Sequence, residues 1–152
     1  MRRQERAISD EAAWAILRES PWGVLSMIDP SGLPYGVPLN YCMIGDDIYF
    51  HCATEGRKID CLTANPEVSF CVVADASFIP DQFTSRYRSV IATGRAQQIE
   101  GEEKRAGLVA IVEKYSAPYM KKGAEIIERM FDVTLVYKIV VDQITGKAAN
   151  QE

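Results

Sequence analysis

The chain is predicted to fold as a mainly β protein, an antiparallel six-stranded β-barrel with accessory helices packed outside it. Three observations carry this. After one opening helix, short apolar runs follow each other across turn signals, as hairpins do. Helical spacing interrupts the runs at only two places, whereas a doubly wound sheet needs a helix between most strands. The 152 residues, 47% hydrophobic and 25% charged, make a single domain, 1–152. A chain of this length buries about 70% of its unfolded surface without disulfides or metal.

The opening helix is capped by Ser9, with Asp10 and Glu11 favourably placed against its dipole. Ala13, Trp14, Ile16 and Leu17 recur at helical spacing, and Ser20-Pro21 ends it. Residues 22–29 and 33–44 read as the arms of a hairpin around Pro30-Ser31-Gly32. The second arm holds Pro34 and Pro38, which donate nothing to a ladder, so it is an edge, a bulge or an open stretch. A turn at Gly45-Asp46-Asp47 leads into a third strand over 48–53. Thr54-Glu55-Gly56 breaks it, a short helix covers about 57–63, and Asn65-Pro66 closes that.

Residues 68–74 make a buried strand, 75–86 with Pro80 a loop, and 87–99 a long strand with a bulge or bend at Gly94. Two helices, 101–115 and 122–131, are joined by Ser116-Ala117-Pro118. Residues 133–142 form the last strand, and 145–152 a polar tail.

A net charge of -4 and scattered basic pairs leave no stripe for a phosphate backbone, which argues against nucleic-acid binding. No apolar run reaches membrane-spanning length and no secretory leader pattern opens the chain, so a cytoplasmic location is expected. Cys42, Cys52, Cys61 and Cys71 form no CxxC pair and there is one histidine, so zinc lacks ligands at workable spacing and no metal site is expected. The cysteines read as reduced, mostly buried thiols.

The strand–turn–helix unit over 49–60 carries the most chemistry. Gly56 permits a sharp turn, the helix start offers open N–H groups, and Arg57 and Lys58 add two cations. That is a phosphate seat, or an exposed basic first turn, and the pattern admits both. His51 lies on the face of Tyr49 and Ala53. It is either a proton-donating group beside a ligand or a half-buried histidine bonded to backbone. Val37, Pro38, Leu39, Asn40 and Tyr41 are unusual for a strand: proline frees backbone groups that can bond a flat polar ring, though a plain edge strand has the same look. The segment 89–94 offers hydroxyls and a glycine that permits close approach, while Met120, Met130 and Phe131 read as core.

These stretches, taken in order, resemble the pyridoxamine 5′-phosphate oxidase-like superfamily, in its nitroimidazole-resistance (Nim-type) branch. They are Gly36-Val37-Pro38-Leu39-Asn40-Tyr41, then Ile48-Tyr49-Phe50-His51-Cys52-Ala53 with Gly56-Arg57-Lys58, then Asn65-Pro66 with Val68-Ser69-Phe70. Tyr87-Arg88-Ser89-Val90-Ile91-Ala92-Thr93-Gly94 and Ile144-Thr145-Gly146-Lys147 complete the set.

The resemblance implies a split β-barrel homodimer with FMN at the subunit interface. It places residues 37–41 along the flavin ring, with His51, Cys52 and Ala53 supporting it. Arg57 and Lys58 take the phosphate, and Ser89, Val90 and Lys147 line the cofactor, with Ser89 and Val90 reaching it from the partner subunit. His51 becomes the catalytic residue of an FMN-dependent oxidoreductase. That enzyme reduces a small electron-poor, nitroaromatic-type substrate, with NAD(P)H as the candidate donor. The alternatives are a flavin-binding module without turnover, or the same barrel holding a deazaflavin or haem. The chain is shorter than true pyridoxamine-phosphate oxidase and shows no C-terminal basic segment, which argues against vitamin B6 oxidation.

Overall fold

The computed structural model describes residues 2–149. Among them, β1 (Ala7–Ile8) precedes α1 (Asp10–Glu19), β2 (Gly23–Ile28), β3 (Pro34–Leu39), β4 (Cys42–Ile44) and β5 (Asp47–Cys52). Then come α2 (Arg57–Ala64), β6 (Glu67–Ile79), β7 (Thr84–Ile99), α3 (Gly101–Ser116), α4 (Met120–Met130) and β8 (Leu135–Ala149).

All strand pairs are antiparallel, in the order β3-β2-β6-β7-β8-β5-β4, with β1 added against the end of β8. The two edge strands, β3 and β4, are consecutive in the chain and separated only by Asn40 and Tyr41. Were the sheet flat, its edges would stand roughly 30 Å apart. A two-residue link spans only about 11 Å. The sheet must therefore curl until its edges meet, and the result is an open antiparallel barrel whose seam is closed by the chain itself.

Alternation along the strands fills the interior. Leu25 and Met27 of β2, Phe70 and Val72 of β6, Val90 and Ala92 of β7, Ile48 and Phe50 of β5, and Ile139 of β8 are buried together. Ala13, Ile16 and Leu17 of α1 join them, and Ser9 caps that helix by accepting from the Ala12 amide at 3.2 Å. A second core lies on the outer side of β5 and β8, where Tyr49 and Val136 meet Leu108 and Ile111 of α3 and Ile127 of α4. Glu103 of α3 fastens this layer, accepting from the Tyr49 hydroxyl at 2.9 Å and from Lys138 Nζ at 2.6 Å.

Several sequence expectations need correction. There are eight strands rather than six among the described residues. The expected arm over 33–44 divides at Asn40-Tyr41 into β3 and β4, and its edge character is observed. Residues 75–86 are no loop: β6 and β7 continue through them as a hairpin around a single 3-10 turn at Pro80–Gln82. A bulge between Ala74 and Ser77, with Asp75 at φ 53, shifts the register there and conceals the strand period. The last strand also runs on to Ala149, so 145–149 of the expected polar tail is ladder. Its end pairs with β1 as well as β7, which makes polar residues acceptable. The remainder of that tail, 150–152, lies outside the described residues. The irregularity expected at Gly94 is present, with the extra residue, Asp142, on β8. No helix among the described residues is long and apolar enough to cross a membrane.

Candidate functional site

On β5, Phe50 points into the barrel and His51 points out, on the side of Tyr49. His51, Cys52 and Ala53 form one wall of a cleft of about 430 Å³. Leu108, Ile126, Ile127 and Met130 form the facing helical wall, and Val133 and Thr134 close one side. His51 keeps an exposed edge. Desolvation by the packing around it, reinforced by the charge of Lys58, holds its pKa below the ordinary 6.5. At neutral pH the imidazole is therefore uncharged. Burial raises the Cys52 thiol, with Lys58 opposing that shift.

The cleft is followed in sequence by the start of α2. Gly56 has φ 121, a conformation that side chains rarely adopt, and supplies no side-chain cap. The first-turn amides that no helix carbonyl can reach are left open, at the positive end of the dipole. The two cations then diverge. Arg57 Nη2 donates to Asp29 Oδ2 at 2.9 Å, and its guanidinium lies 4.4 Å over the Tyr35 ring on β3. Lys58 turns the other way, its Nζ 5.7 Å from the Phe50 ring on β5. Among the described residues no ion pair engages Lys58.

Asp29 is a site neighbour that sequence reasoning missed. Its Oδ1 accepts from the amides of Ser31 and Leu33 at 2.9 and 3.0 Å. The Leu33 amide first, then Arg57, holds its carboxyl below the ordinary range. The signal in sequence was the Asp-Pro-Ser-Gly turn, whose opening Asp commonly folds back on its own backbone. The first turn of α2 thus touches both β3 and β5, across the barrel seam.

The expected ring-binding segment is mixed. Pro38 is exposed and Val37 half-buried, while Leu39 belongs to the core. Tyr41 is fully buried, its hydroxyl donating to the Leu17 carbonyl at 2.5 Å and its amide donating to Tyr115 Oη at 3.0 Å. Tyr41 therefore pins the seam, and Asn40 is half-buried beside it. Among the described residues, no strand pairs with the outer backbone groups of β3.

The other expected residues stand elsewhere. Val90 is fully buried inside the barrel. Ser89 and Lys147 are paired neighbours on β7 and β8, and Lys147 beside Tyr87 lowers that hydroxyl's pKa. His51 pairs with Val136, and from Val136 to Lys147 is roughly 35 Å of strand. One chain therefore brings Lys58 beside His51 and sets Arg57 against Tyr35 of β3, and it leaves Ser89 and Lys147 at the far end of the ladder.

Sequence reasoning also missed the helical wall. Met130, expected in the core, is 42% exposed and lines the cleft. Its signal was Ile126, Ile127 and Met130 together, an apolar stripe broader than one seam requires.

The donor set fits the FMN that the resemblance implies. Lys58 and the uncapped helix start suit a dianionic phosphate, and the unladdered side of β3 suits the polar edge of a planar ring. Arg57 fits less simply, because one of its donors is already committed to Asp29.

A family model described as pyridoxamine 5′-phosphate oxidase matches residues 9–148. Among solved structures, a candidate 5-nitroimidazole antibiotic resistance protein from Bacteroides thetaiotaomicron is similar at 27% identity and TM-score 0.75, covering 93% of this chain and 86% of its own. A conserved hypothetical protein from Mycobacterium tuberculosis shares 22% identity at TM-score 0.82, over 96% of this chain and 88% of its own. A protein from Mycobacterium smegmatis that binds FAD and haem shares 19% identity at TM-score 0.80, over 97% and 75%. A comparison with curated proteins finds no match.

Proposed function

This chain belongs to the pyridoxamine 5′-phosphate oxidase family, and on that premise we propose that it is an FMN-dependent oxidoreductase acting on small, flat, electron-poor substrates of nitroaromatic type. It works as a homodimer with flavin at the subunit interface, and NAD(P)H is the candidate donor. The observation that carries the reading is His51 on the wall of an apolar cleft with Lys58, a cation free of any described ion pair, beside it. A volume of about 430 Å³ falls within the ordinary range for small-molecule sites. The similarity to the nitroimidazole-resistance protein supports the substrate class.

Bound FMN supplies the redox chemistry. Lys58 and the open amides of α2 hold the phosphate, and the outer edge of β3 orients the ring. Leu108, Ile126, Ile127 and Met130 keep water from the substrate face of the cleft. His51 holds the proton that the acceptor needs as negative charge builds on it, at the imidazole nitrogen turned to the cleft.

Because the His51 pKa lies below 6.5, the protonated donor accumulates only on the acid side. NAD(P)H oxidation with a nitroaromatic acceptor should therefore rise as pH falls through that pKa. In His51→Ala the protein should keep its flavin, lose the acid limb, and turn over roughly 100-fold more slowly. Unchanged turnover with the acid limb intact would remove His51 from the chemistry. No turnover with any acceptor would favour a binding module.

A second reading, FAD in place of FMN, is favoured by similar structures that bind FAD. The mass of the chromophore released on denaturation separates the two.

A further inference from the structure

The wall of the His51 cleft is shared. Ile126 of α4 also lines a second cleft, of about 320 Å³, formed between α3 and α4. Val112 and Ser116 of α3, Tyr119, and Lys122 and Gly123 of α4 complete that lining. Lys122, Ile126 and Met130 stand four residues apart on α4 and so lie on one face of it. From the first to the last of them is about 12 Å. Gly123 lets the two helices close together along this line, because a Cβ there would stand 2.4 Å from Val112 Cγ1. The two clefts therefore join at Ile126 into one trough that runs along α4 to His51.

The trough is apolar along its length and charged at one end. Tyr119, Ile126, Met130 and Val133 are 67%, 42%, 42% and 56% exposed, and a continuous apolar line of this kind marks a binding surface. Among the described residues Lys122 is the only charged side chain in either lining. No described ion pair engages it. Ser116 adds a hydroxyl in the same cleft. Glu125, a nearby carboxylate on α4, lines neither cleft. At the other end the His51 imidazole is uncharged at neutral pH. A flat nitroaromatic covers only that end. A ligand that satisfies both ends carries one negative charge on a long apolar tail.

We propose that the trough binds a long-chain monocarboxylate, a fatty-acid-type amphiphile with its head at Lys122 and its tail running past Ile126 into the cleft beside His51. The two volumes, about 430 and 320 Å³, together stay within the ordinary range for a small-molecule site. The tail fills the space that a small acceptor would need, so the same ligand competes with a substrate at His51. The binding itself does not depend on the flavin reading.

Calorimetric titration of the purified full chain with octanoate, decanoate, dodecanoate and decanol tests this, and it needs neither flavin nor turnover. One carboxylate should bind per chain, and affinity should rise roughly two- to fourfold with each added methylene. Decanol should bind roughly three- to fivefold more weakly than decanoate, the upper range for an exposed charge pair. Lys122→Gln, at an exposed position, should lower decanoate to the level of decanol and leave decanol unchanged. Ile126→Asp should weaken acid and alcohol together by tenfold or more, with circular dichroism on the same sample reporting the fold. No heat with dodecanoate, an affinity independent of chain length, or a Lys122→Gln variant that retains the preference for acid over alcohol would each overturn the proposal. Whether the same chain takes up FMN is read separately by absorbance, so the two readings stand or fall apart.

Discussion

Replacing Gly94 with alanine is expected to destabilise the protein by about 3 kcal/mol or more, the upper range for overpacking. A Cβ at this position would stand 2.0 Å from the Val140 carbonyl oxygen and 2.9 Å from its carbon. Both are backbone atoms, so no rotamer change relieves the clash. Gly94 lies on β7, held between β6 and β8, at the point where Asp142 is the unpaired residue of the bulge. Opening that contact breaks the ladder that joins the two halves of the barrel. Domains of this kind have only about 5–15 kcal/mol in total. With urea slopes of about 1–3 kcal/mol per molar, the midpoint should fall by at least about 1 M. Gly36→Ala is the control, since its nearest neighbour would be Val24 Cγ1 at 3.6 Å, an ordinary contact. Equal midpoints for Gly94→Ala and the native chain would mean that β7 and β8 do not meet in this register.

Lys58→Ala is expected to weaken FMN binding by roughly 10- to 100-fold, while riboflavin, which has no phosphate, binds as before. A hydrogen bond to a charged group contributes about 1.5–3 kcal/mol, and each 1.4 kcal/mol is tenfold in affinity. The asymmetry with its neighbour is the sharper part of this prediction. Arg57 is already bonded to Asp29 and stacked on Tyr35, so a phosphate must share it with a carboxylate. Arg57→Ala should therefore weaken FMN less than Lys58→Ala does, and should loosen the β2–β3 turn as well. Isothermal titration of both variants with FMN and riboflavin reads all four values. Equal losses for the two variants, or a parallel loss of riboflavin, would contradict the division of labour drawn from the geometry.

How much of this was legible in the sequence follows from the range of each interaction. Ser9 caps α1 from three residues away, and helical spacing places Ala13, Ile16 and Leu17, so that helix is written locally. The same holds for His51, Gly56 and Lys58, which occupy a single strand–turn–helix unit. Their juxtaposition needs only alternation and one sharp turn. The hairpin at Pro80–Gln82 was illegible because the bulge after Ala74 resets the alternation just before it. The end of β8 was illegible for a different reason. Gly146 is poor in a strand by propensity, but a Cβ there would stand 2.5 Å from Ile8 and 2.9 Å from Ala13, so only the docking of β1 and α1 explains it.

Long-range partners in the site escaped in the same way. Asp29 and Arg57 are 28 residues apart, and spacing alone does not pair them. The helical wall of the cleft comes from residues more than fifty positions beyond His51. Tyr41 looked like part of a ring-binding strand, yet its hydroxyl is spent on Leu17 and its amide on Tyr115. Ser89 and Lys147 share a ladder rung with each other and not with His51. Sequence proximity to a recognised motif does not reveal which of its residues the fold brings to one place.

The central claim is that the first turn of α2 and the strands on either side of it hold a phosphorylated flavin, and absorbance titration of the purified chain with FMN tests it most directly. The result expected is a saturable, structured flavin spectrum at about one FMN per chain, with riboflavin at least tenfold weaker. Protein that leaves FMN free in solution at large excess, or that binds riboflavin as tightly, would contradict it.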